Sequence, residues 1–364
     1  MISFASPARE HVALADAIEG AVLRVLRSGC YVLGQEVACF EQELAGYTGA
    51  AHAVAVSSGS DALVCALLAV GVGPGDDVIV PAFGFVAAPE AVVRVGARPV
   101  FVDIDPVHLA PDPDSVRDAR ASRTRAVLVM HLFGQATELT RLRDACGDLP
   151  VIEDAAQAIG TRWDQRHVGT VGEVGTLSFF PAKSLGAAGD GGALLTQRED
   201  LARRARRACA HGAERGYEWV AHGGNYRLDA LQAAILRVKL AALEPRLARR
   251  RAIGCRLCAT ARACGAQPFD GAGACAPTFA PLALRVAERD RTVQALRARG
   301  IDARVQYPHT LPGSQAFVSA NNQARFPHAL RASRELLSLP CNPELHDEEV
   351  ERIDQALVEV LQHA

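Results

Sequence analysis

Lys183 stands in the stretch Ser178-Phe-Phe-Pro-Ala-Lys183-Ser-Leu-Gly186, after a strand-like apolar run and before a glycine-dense turn. An amine placed there can point into a cleft, where desolvation lowers its pKa and frees it for imine chemistry. The plain alternative is a surface-loop lysine. Upstream, the β-rich run Ala53–Val56 breaks at Ser57-Ser-Gly-Ser-Asp61 into an apolar helical segment over 62–70. Strand, small-residue turn and helix in that order make an anion cradle from free N–H groups, the helix dipole and serine hydroxyls. An ordinary Ser/Asp helix cap gives the same pattern. A third feature is a carboxylate at a strand end, Asp154 with Glu153 beside it, and a fourth is an aromatic ring, Phe85, following the run Val78–Val80.

Pyridoxal phosphate uses all four: its aldehyde joins a lysine, its phosphate needs a dipole end, its ring stacks on an aromatic face, and its pyridine nitrogen needs an anion. Asp154 is expected to favour the cationic nitrogen by the opposite-charge rule. Side chains alternate along a strand, so Glu153 cannot face the ring as well. Other cofactors fit less well. Gly189-Asp-Gly-Gly192 lacks the Gly-x-Gly-x-x-Gly spacing and leads into an apolar strand-like run, which argues against a Rossmann site. No glycine-rich loop precedes Lys183-Ser184, which removes the nucleoside triphosphatase reading. Cys255 and Cys258 have no second Cys or His pair at zinc spacing, so no metal is expected.

The elements that must position these groups alternate. A helix is predicted over 7–28, a loop at 31–35, and a helix through Phe40 and Leu44; strand and helix then alternate from Ala53 to Val151-Ile152. That pattern predicts an α/β domain with a mostly parallel sheet sandwiched by helices, its ligand beyond the carboxyl ends of the strands. Ser58 to Ser60, Phe85, His131 and Asp154 all fall at such ends. A basic helix is expected over 199–210, a long helix from the 222–229 segment to about 262, a strand-like stretch over 275–284, and helices over 287–299 and 346–361. The arginine run 249–251 reads as a solvated helix face. The junction between a large domain, 1–245, and a smaller α+β C-terminal domain, 246–364, is placed near residue 245.

The chain has 364 residues, 49% hydrophobic and 22% charged, with a net charge of −2. That balance gives no reason to expect nucleic acid or an anionic membrane. Small molecules and copies of the chain itself are the expected partners. Arg9 and Glu10 interrupt any signal-like apolar run, and the ten cysteines are scattered, so a reduced, cytoplasmic protein is expected.

Seven motifs in order also resemble those of the DegT/DnrJ/StrS sugar aminotransferases: Ser57-Ser-Gly-Ser-Asp-Ala-Leu63, Pro81-Ala-Phe-Gly-Phe85, Phe101-Val-Asp-Ile-Asp-Pro106, His131-Leu-Phe-Gly-Gln135, Ile152-Glu-Asp-Ala-Ala-Gln157, Ser178 to Gly186, and Gly224-Asn-Tyr-Arg-Leu-Asp-Ala-Leu-Gln-Ala-Ala234. The resemblance implies fold type I, the aspartate aminotransferase fold, and a homodimer with active sites at the subunit interface. It makes Lys183 the imine-forming, proton-shuttling lysine and Asp154 the partner of the pyridine nitrogen. Gln157 would face the ring hydroxyl and Phe85 would stack on the ring. Gly59, Ser60 and Ser178 would hold the phosphate, helped by Asn225 from the other subunit. Gly84, Ala182 and Ser184 depart from the usual residues. Because the chain has lysine where some deoxygenating relatives have histidine, the implied reaction is transfer of an amino group from L-glutamate to the keto carbon of a nucleotide-linked keto-deoxysugar, with dTDP as the expected nucleotide and pyridoxamine phosphate formed during turnover. Tyr31, Tyr307 and His309 are candidate substrate contacts. A cyclitol-ketone aminotransferase and a non-catalytic, cofactor-binding regulator are the alternatives; a cysteine desulfurase would need a mobile catalytic cysteine in a polar loop, which the sequence lacks.

Overall fold

The structure, a computed structural model, describes residues 1–271, 275–317 and 325–362. Its first nine strands are β1 (His52–Val56), β2 (Asp77–Pro81), β3 (Arg98–Val102), β4 (Thr124–Met130), β5 (Val151–Asp154), β6 (Arg162–Trp163), β7 (Arg166–His167), β8 (Val174–Ser178) and β9 (Gly192–Thr196). Seven form one sheet in the order β1-β9-β8-β5-β4-β2-β3. Neighbours from β8 to β3 are parallel, and β9 alone runs against both its partners. These strands are short runs of Val, Ile, Leu and Ala, buried on both faces as a helix-covered parallel sheet requires. Edge strand β3 starts exposed at Arg98.

The topology brings the carboxyl ends of β1, β2, β4, β5 and β8 to one rim, where β9 begins opposite Ser178 and Val56. The strand-to-helix alternation read from the sequence is present, and the fold is the mostly parallel α/β architecture expected. Two stretches differ. The expected helix to about 262 is two, Ala230–Ala241 and Leu243–Ala263. Pro245 explains the break: it has no N–H to donate to the Ala241 carbonyl and its ring would crowd that group, so the chain restarts with proline in a first turn. The strand-like stretch 275–284 also resolves into two pieces, Cys275–Ala276 and Leu282–Arg285.

A second, three-stranded antiparallel sheet consists of Gln267–Pro268, Leu282–Arg285 and Leu336–Leu339. Helices Leu243–Ala263, Arg289–Ala298 and Asp347–Gln362 contribute Leu257, Leu296, Ile353 and Leu357 to its core, which also takes in Ile2 from the start of the chain. Among the described residues no helix is long and apolar enough to cross a membrane.

Close backbone approach sets the register of β8. A Cβ at Gly175 would lie 2.6 Å from the Gly169 carbonyl carbon. Gly175→Ala is therefore expected to destabilise by roughly 1–3 kcal/mol, the cost of overpacking. Exposed Gly46 sits in helix Gly34–Thr48 with nothing near its Cβ position, so Gly46→Ala is expected to stabilise by about 0.5–1 kcal/mol. Thermal unfolding of the two variants should show midpoints displaced in opposite directions; a Gly175→Ala protein as stable as the parent would contradict the packing described.

Candidate active site

The rim of the sheet builds a cradle at the N-terminus of helix Gly59–Ala69. Ser58 caps it, its Oγ accepting from Asp61 N at 3.1 Å, while Ser57 Oγ donates to Asp61 Oδ2 at 2.6 Å. Burial raises the Asp61 pKa, but hydrogen bonds from Ser57, Arg94 and Ser58 carry it below the ordinary range. Ser58 is thus committed to the cap. Gly59 has no room for a side chain, since a Cβ there would lie 2.6 Å from Ser178 Cβ. Ser178 and the exposed first-turn N–H groups consequently crowd around one point, which suits a phosphate.

Lys183 follows β8 in a tight turn, with Lys183 N donating to Phe180 O at 2.8 Å and Ala187 N to Phe179 O at 2.7 Å. Helix Ala230–Ala241 braces that turn: Gln232 Oε1 accepts from Ala188 N at 2.8 Å, and Lys239 Nζ donates to Gly186 O at 2.7 Å. Lys239 is buried and also donates to Glu10 Oε2 at 3.0 Å. The sequence has only these two lysines. One is locked in place as a brace, and the other is half-buried beside the cradle. Burial lowers the Lys183 pKa, and the Asp154 charge opposes that shift.

Glu153 and Asp154 project to opposite faces of β5. Glu153 is fully buried and accepts from His131 Nε2, Gly169 N and Val171 N, each at 2.8 Å, and from Gly172 N at 2.5 Å. Burial pushes its pKa up, but the His131 hydrogen bond and the backbone donors win, leaving it below the usual range. Thr137 N donates to His131 Nδ1 at 3.0 Å, so the neutral ring carries its proton on Nε2. Among the described residues Asp154 has one protein donor, Ala156 N at 3.0 Å. Burial raises its pKa, countered by Ala156 N, Lys183 and His131. A carboxylate left this poor in donors is completed by a cation facing it.

Phe85 lies 49% exposed on the cavity wall. Its ring centroid is 6.0 Å from that of Tyr307, whose hydroxyl accepts from Gln157 Nε2 at 3.0 Å; Gln157 Oε1 accepts from Phe133 N at 2.7 Å. The departure at Gly84 has a physical reason. Its φ is +146°, and a Cβ there would lie 2.7 Å from Met130 Sδ, so Met130 fills the space a side chain would take.

One cavity of about 510 Å³ gathers Gly59, Ser60, Phe85, Asp154, Gln157, Ser178, Lys183 and Tyr307. Tyr31, Asn225 and His309 do not line it. Tyr31 is exposed and donates to Leu26 O at 3.3 Å, Asn225 Oδ1 accepts from Arg227 Nε at 2.9 Å, and His309 is exposed. The cavity also includes residues that sequence reasoning passed over: Arg250, Arg304 and Gln306. The arginine run is not a uniformly solvated face, because Arg250 is only 7% exposed. Its position was legible as spacing: Leu243, Leu247, Arg250, Gly254, Leu257 and Ala261 form the buried stripe of their helix. The amine, the lone carboxylate, the ring face and the cradle around one cavity fit pyridoxal phosphate.

A profile described as the DegT/DnrJ/EryC1/StrS aminotransferase family matches residues 13–358. The chain is 36% identical over 360 residues to a UDP-2-acetamido-2-deoxy-3-oxo-D-glucuronate aminotransferase of Pseudomonas aeruginosa, covering 98% of this chain and 99% of that one. It is 39% identical over 348 residues to a dTDP-3-amino-3,4,6-trideoxy-alpha-D-glucose transaminase of Streptomyces venezuelae, covering 94% and 91%. A crystal structure of S. venezuelae DesV in complex with a ketimine intermediate superposes with a TM-score of 0.96 at 37% identity, covering 100% of this chain and 99% of that chain.

The contrast between the two carboxylates is testable. Glu153→Gln places an amide against donors and should cost about 3–5 kcal/mol of stability, as breaking a buried pair does. Its pH dependence has a definite sign: a glutamate whose pKa is lowered by folding contributes stability present above its unfolded pKa and lost as pH falls through the lower folded value. Acid unfolding of Glu153→Gln should therefore be flatter than that of the parent. Asp154→Asn should leave stability nearly unchanged and abolish turnover. A harmless Glu153→Gln combined with an unstable Asp154→Asn would reverse the assignment.

Proposed function

The chain belongs to the DegT/DnrJ/EryC1/StrS aminotransferase family, a sugar aminotransferase whose cofactor is pyridoxal phosphate, and from that premise we propose that it moves an amino group from L-glutamate to the keto carbon of a nucleotide-linked keto-deoxysugar. The observation that carries the reading is the presence of Lys183 and Asp154 in one cavity beside the Gly59–Ser178 cradle, with Lys239 tied to Glu10 and Gly186. The cofactor supplies an aldehyde that captures amines and a ring that accepts the electron pair released at the donor's α-carbon. The remaining work falls to side chains of this chain.

In this reading Lys183 Nζ holds the resting cofactor and, once released, carries a proton away from the donor's α-carbon and later returns one to the acceptor's carbon. Its half-buried site supports this by keeping a larger fraction neutral than a surface lysine would have. Asp154 would favour the protonated ring nitrogen, and Gln157 and Tyr307 would lie beside the ring. Ser60 and Ser178 would anchor the phosphate at the helix N-terminus. We assign the small C-terminal part from about residue 245 to the opposite wall of the cavity.

We further propose a homodimer in which Asn225 completes the partner's phosphate site. Two observations support it: Asn225 stays outside its own chain's cavity, and Tyr31, Leu33, Tyr217, Trp219 and Val220 are large apolar residues left exposed, a surface composition typical of interfaces. Asn225→Ala should then reduce cofactor retention on dialysis, and sedimentation should give twice the chain mass. A fully active monomer would sink this part.

For the acceptor, dTDP-linked sugars come first, because the S. venezuelae relative is named for one; the P. aeruginosa relative's name supports UDP-linked sugars as the next class. Purified enzyme should absorb in the visible, and borohydride should fix the cofactor on Lys183 and not on Lys239. Lys183→Ala should lower turnover by about 100-fold or more. Enzyme preloaded with pyridoxamine phosphate is then offered dTDP- and UDP-linked keto sugars and cyclitol ketones. Return of the aldehyde spectrum with a nucleotide-linked sugar is the expected result; a response confined to cyclitol ketones, or none with any amino donor, would refute the proposal.

A further inference from the structure

We propose that Arg94, which stands outside the cavity, is a positioning residue for cofactor binding: it neutralises Asp61 so that the helix N-terminus beside it can take a phosphate. The proposal rests on the reading of the Gly59–Ser178 cradle as a phosphate site and deepens it. Asp61 lies in the first turn of helix Gly59–Ala69, the helix whose free N–H groups form the cradle. An acidic side chain in a first turn is favoured by the helix dipole. Here that preference creates a conflict, because the positive end that attracts Asp61 must also attract a phosphate, and two anions close together repel.

The surroundings of Asp61 hold its carboxylate in place and ionised. Its side chain is 18% exposed. Ser57 Oγ donates to Oδ2 at 2.6 Å, and Arg94 Nη2 donates to Oδ1 at 2.9 Å. Burial opposes ionisation, but these bonds and that of Ser58 keep the pKa below the ordinary carboxylate range. Protonation is therefore closed as a way of removing the charge, and a cation must balance it. Among the described residues Arg94 is the cation paired with Asp61.

Exposed ion pairs are ordinarily worth little, since both side chains wander. This one is held on both sides. Arg94 is the last residue of helix Ala87–Arg94, and its guanidinium carbon stands 5.8 Å from the centroid of the Tyr226 ring, a further attraction for a cation. Tyr226 O in turn accepts from Ser57 N at 2.9 Å, and Ser57 is the residue that holds Asp61 Oδ2. Arg94, Asp61, Ser57 and Tyr226 thus close a ring of contacts behind the cradle. Ser58, Gly59 and Ser60 line the cavity, whereas Asp61 and Arg94 do not, so Arg94 acts on a bound phosphate through the local field and not by contact. Its side chain is 43% exposed, which leaves that action open to screening by salt.

Pyridoxal has the ring and aldehyde of the cofactor without the phosphate, so comparing the two ligands isolates the phosphate's share. The full chain, stripped of cofactor with hydroxylamine, is titrated with pyridoxal phosphate and with pyridoxal, and imine absorbance reports binding. Arg94→Met should weaken pyridoxal phosphate by about 10-fold, the scale of one neighbouring charge, and leave pyridoxal as in the parent. The loss should shrink in about 1 M potassium chloride. Adding Asp61→Asn to Arg94→Met removes the unbalanced charge and should restore most of the affinity, as should Arg94→Lys in place of methionine. Arg94→Gln carries the comparison if the methionine variant does not fold. Unchanged affinity for pyridoxal phosphate overturns the proposal. Equal weakening of both ligands overturns it too, since that marks a brace for the fold, as does failure of Asp61→Asn to restore binding. The two readings fail separately: a parent that binds pyridoxal as tightly as pyridoxal phosphate refutes the phosphate cradle, whereas a preference for the phosphate form that is the same with and without Arg94 refutes only this assignment.

Discussion

Two carboxylates in sequence on one buried strand impose the constraint on which the site depends. Neither Glu153 nor Asp154 can be solvated by bulk water, and the pleat sends them to opposite faces. On one face the protein meets the demand internally. His131 and the backbone N–H groups of Gly169, Val171 and Gly172 converge on Glu153, which fixes the loop over β8 and orients the His131 ring. On the other face, among the described residues, it supplies Asp154 with a single N–H and leaves the remainder to whatever enters the cavity. Satisfaction on one side is what makes incompleteness on the other specific. Were Glu153 also short of donors, either residue could compete for a cation and the ring nitrogen would have no defined partner.

A similar division of labour separates the lysines. An aldehyde cofactor reacts with any accessible amine, so the scarcity of lysine matters: the chain's positive charge is nearly all arginine, which stays protonated and does not form such adducts. Lys239 is withdrawn by burial and pairing with Glu10 and at the same time holds the Gly186 carbonyl, three residues beyond Lys183. The second lysine thereby fixes the turn that presents the first.

Much of this was legible in the sequence because it rests on local rules. Strand-to-helix alternation gave the sheet, and Ser57 to Asp61 gave the capped helix terminus. Opposite faces for Glu153 and Asp154 followed from strand period, although which residues would satisfy Glu153 did not, since they lie in the distant 169–172 loop and at His131. The helix break at Ala242 was available from Pro245 and was missed because apolar periodicity continues through it. Arg250 was missed for a different reason. A run of three arginines resembles a solvated face by composition, and only its phase against Leu247 and Leu257 marks the middle one as buried. Tyr31, Asn225 and His309 were chosen from loop character or family pattern, and neither states which surface of which copy a loop will reach.

The two walls of the cavity differ in charge type, and that difference orders the chemistry. Residues up to Asp190 contribute the amine, the carboxylate and the phosphate cradle, all fixed by one rim of a rigid sheet. The wall built from Arg250, Arg304 and Gln306 belongs to elements around the second sheet and offers cations and an amide. A ping-pong enzyme must present one set of reacting atoms to two dissimilar substrates in turn. On the proposed function, cofactor contacts fixed on the rigid rim would keep the reacting centre constant between half-reactions, and recognition of each anionic substrate would fall to the opposite wall. Substitutions on that second wall can then change which substrate is accepted without disturbing the placement of Lys183 against Asp154.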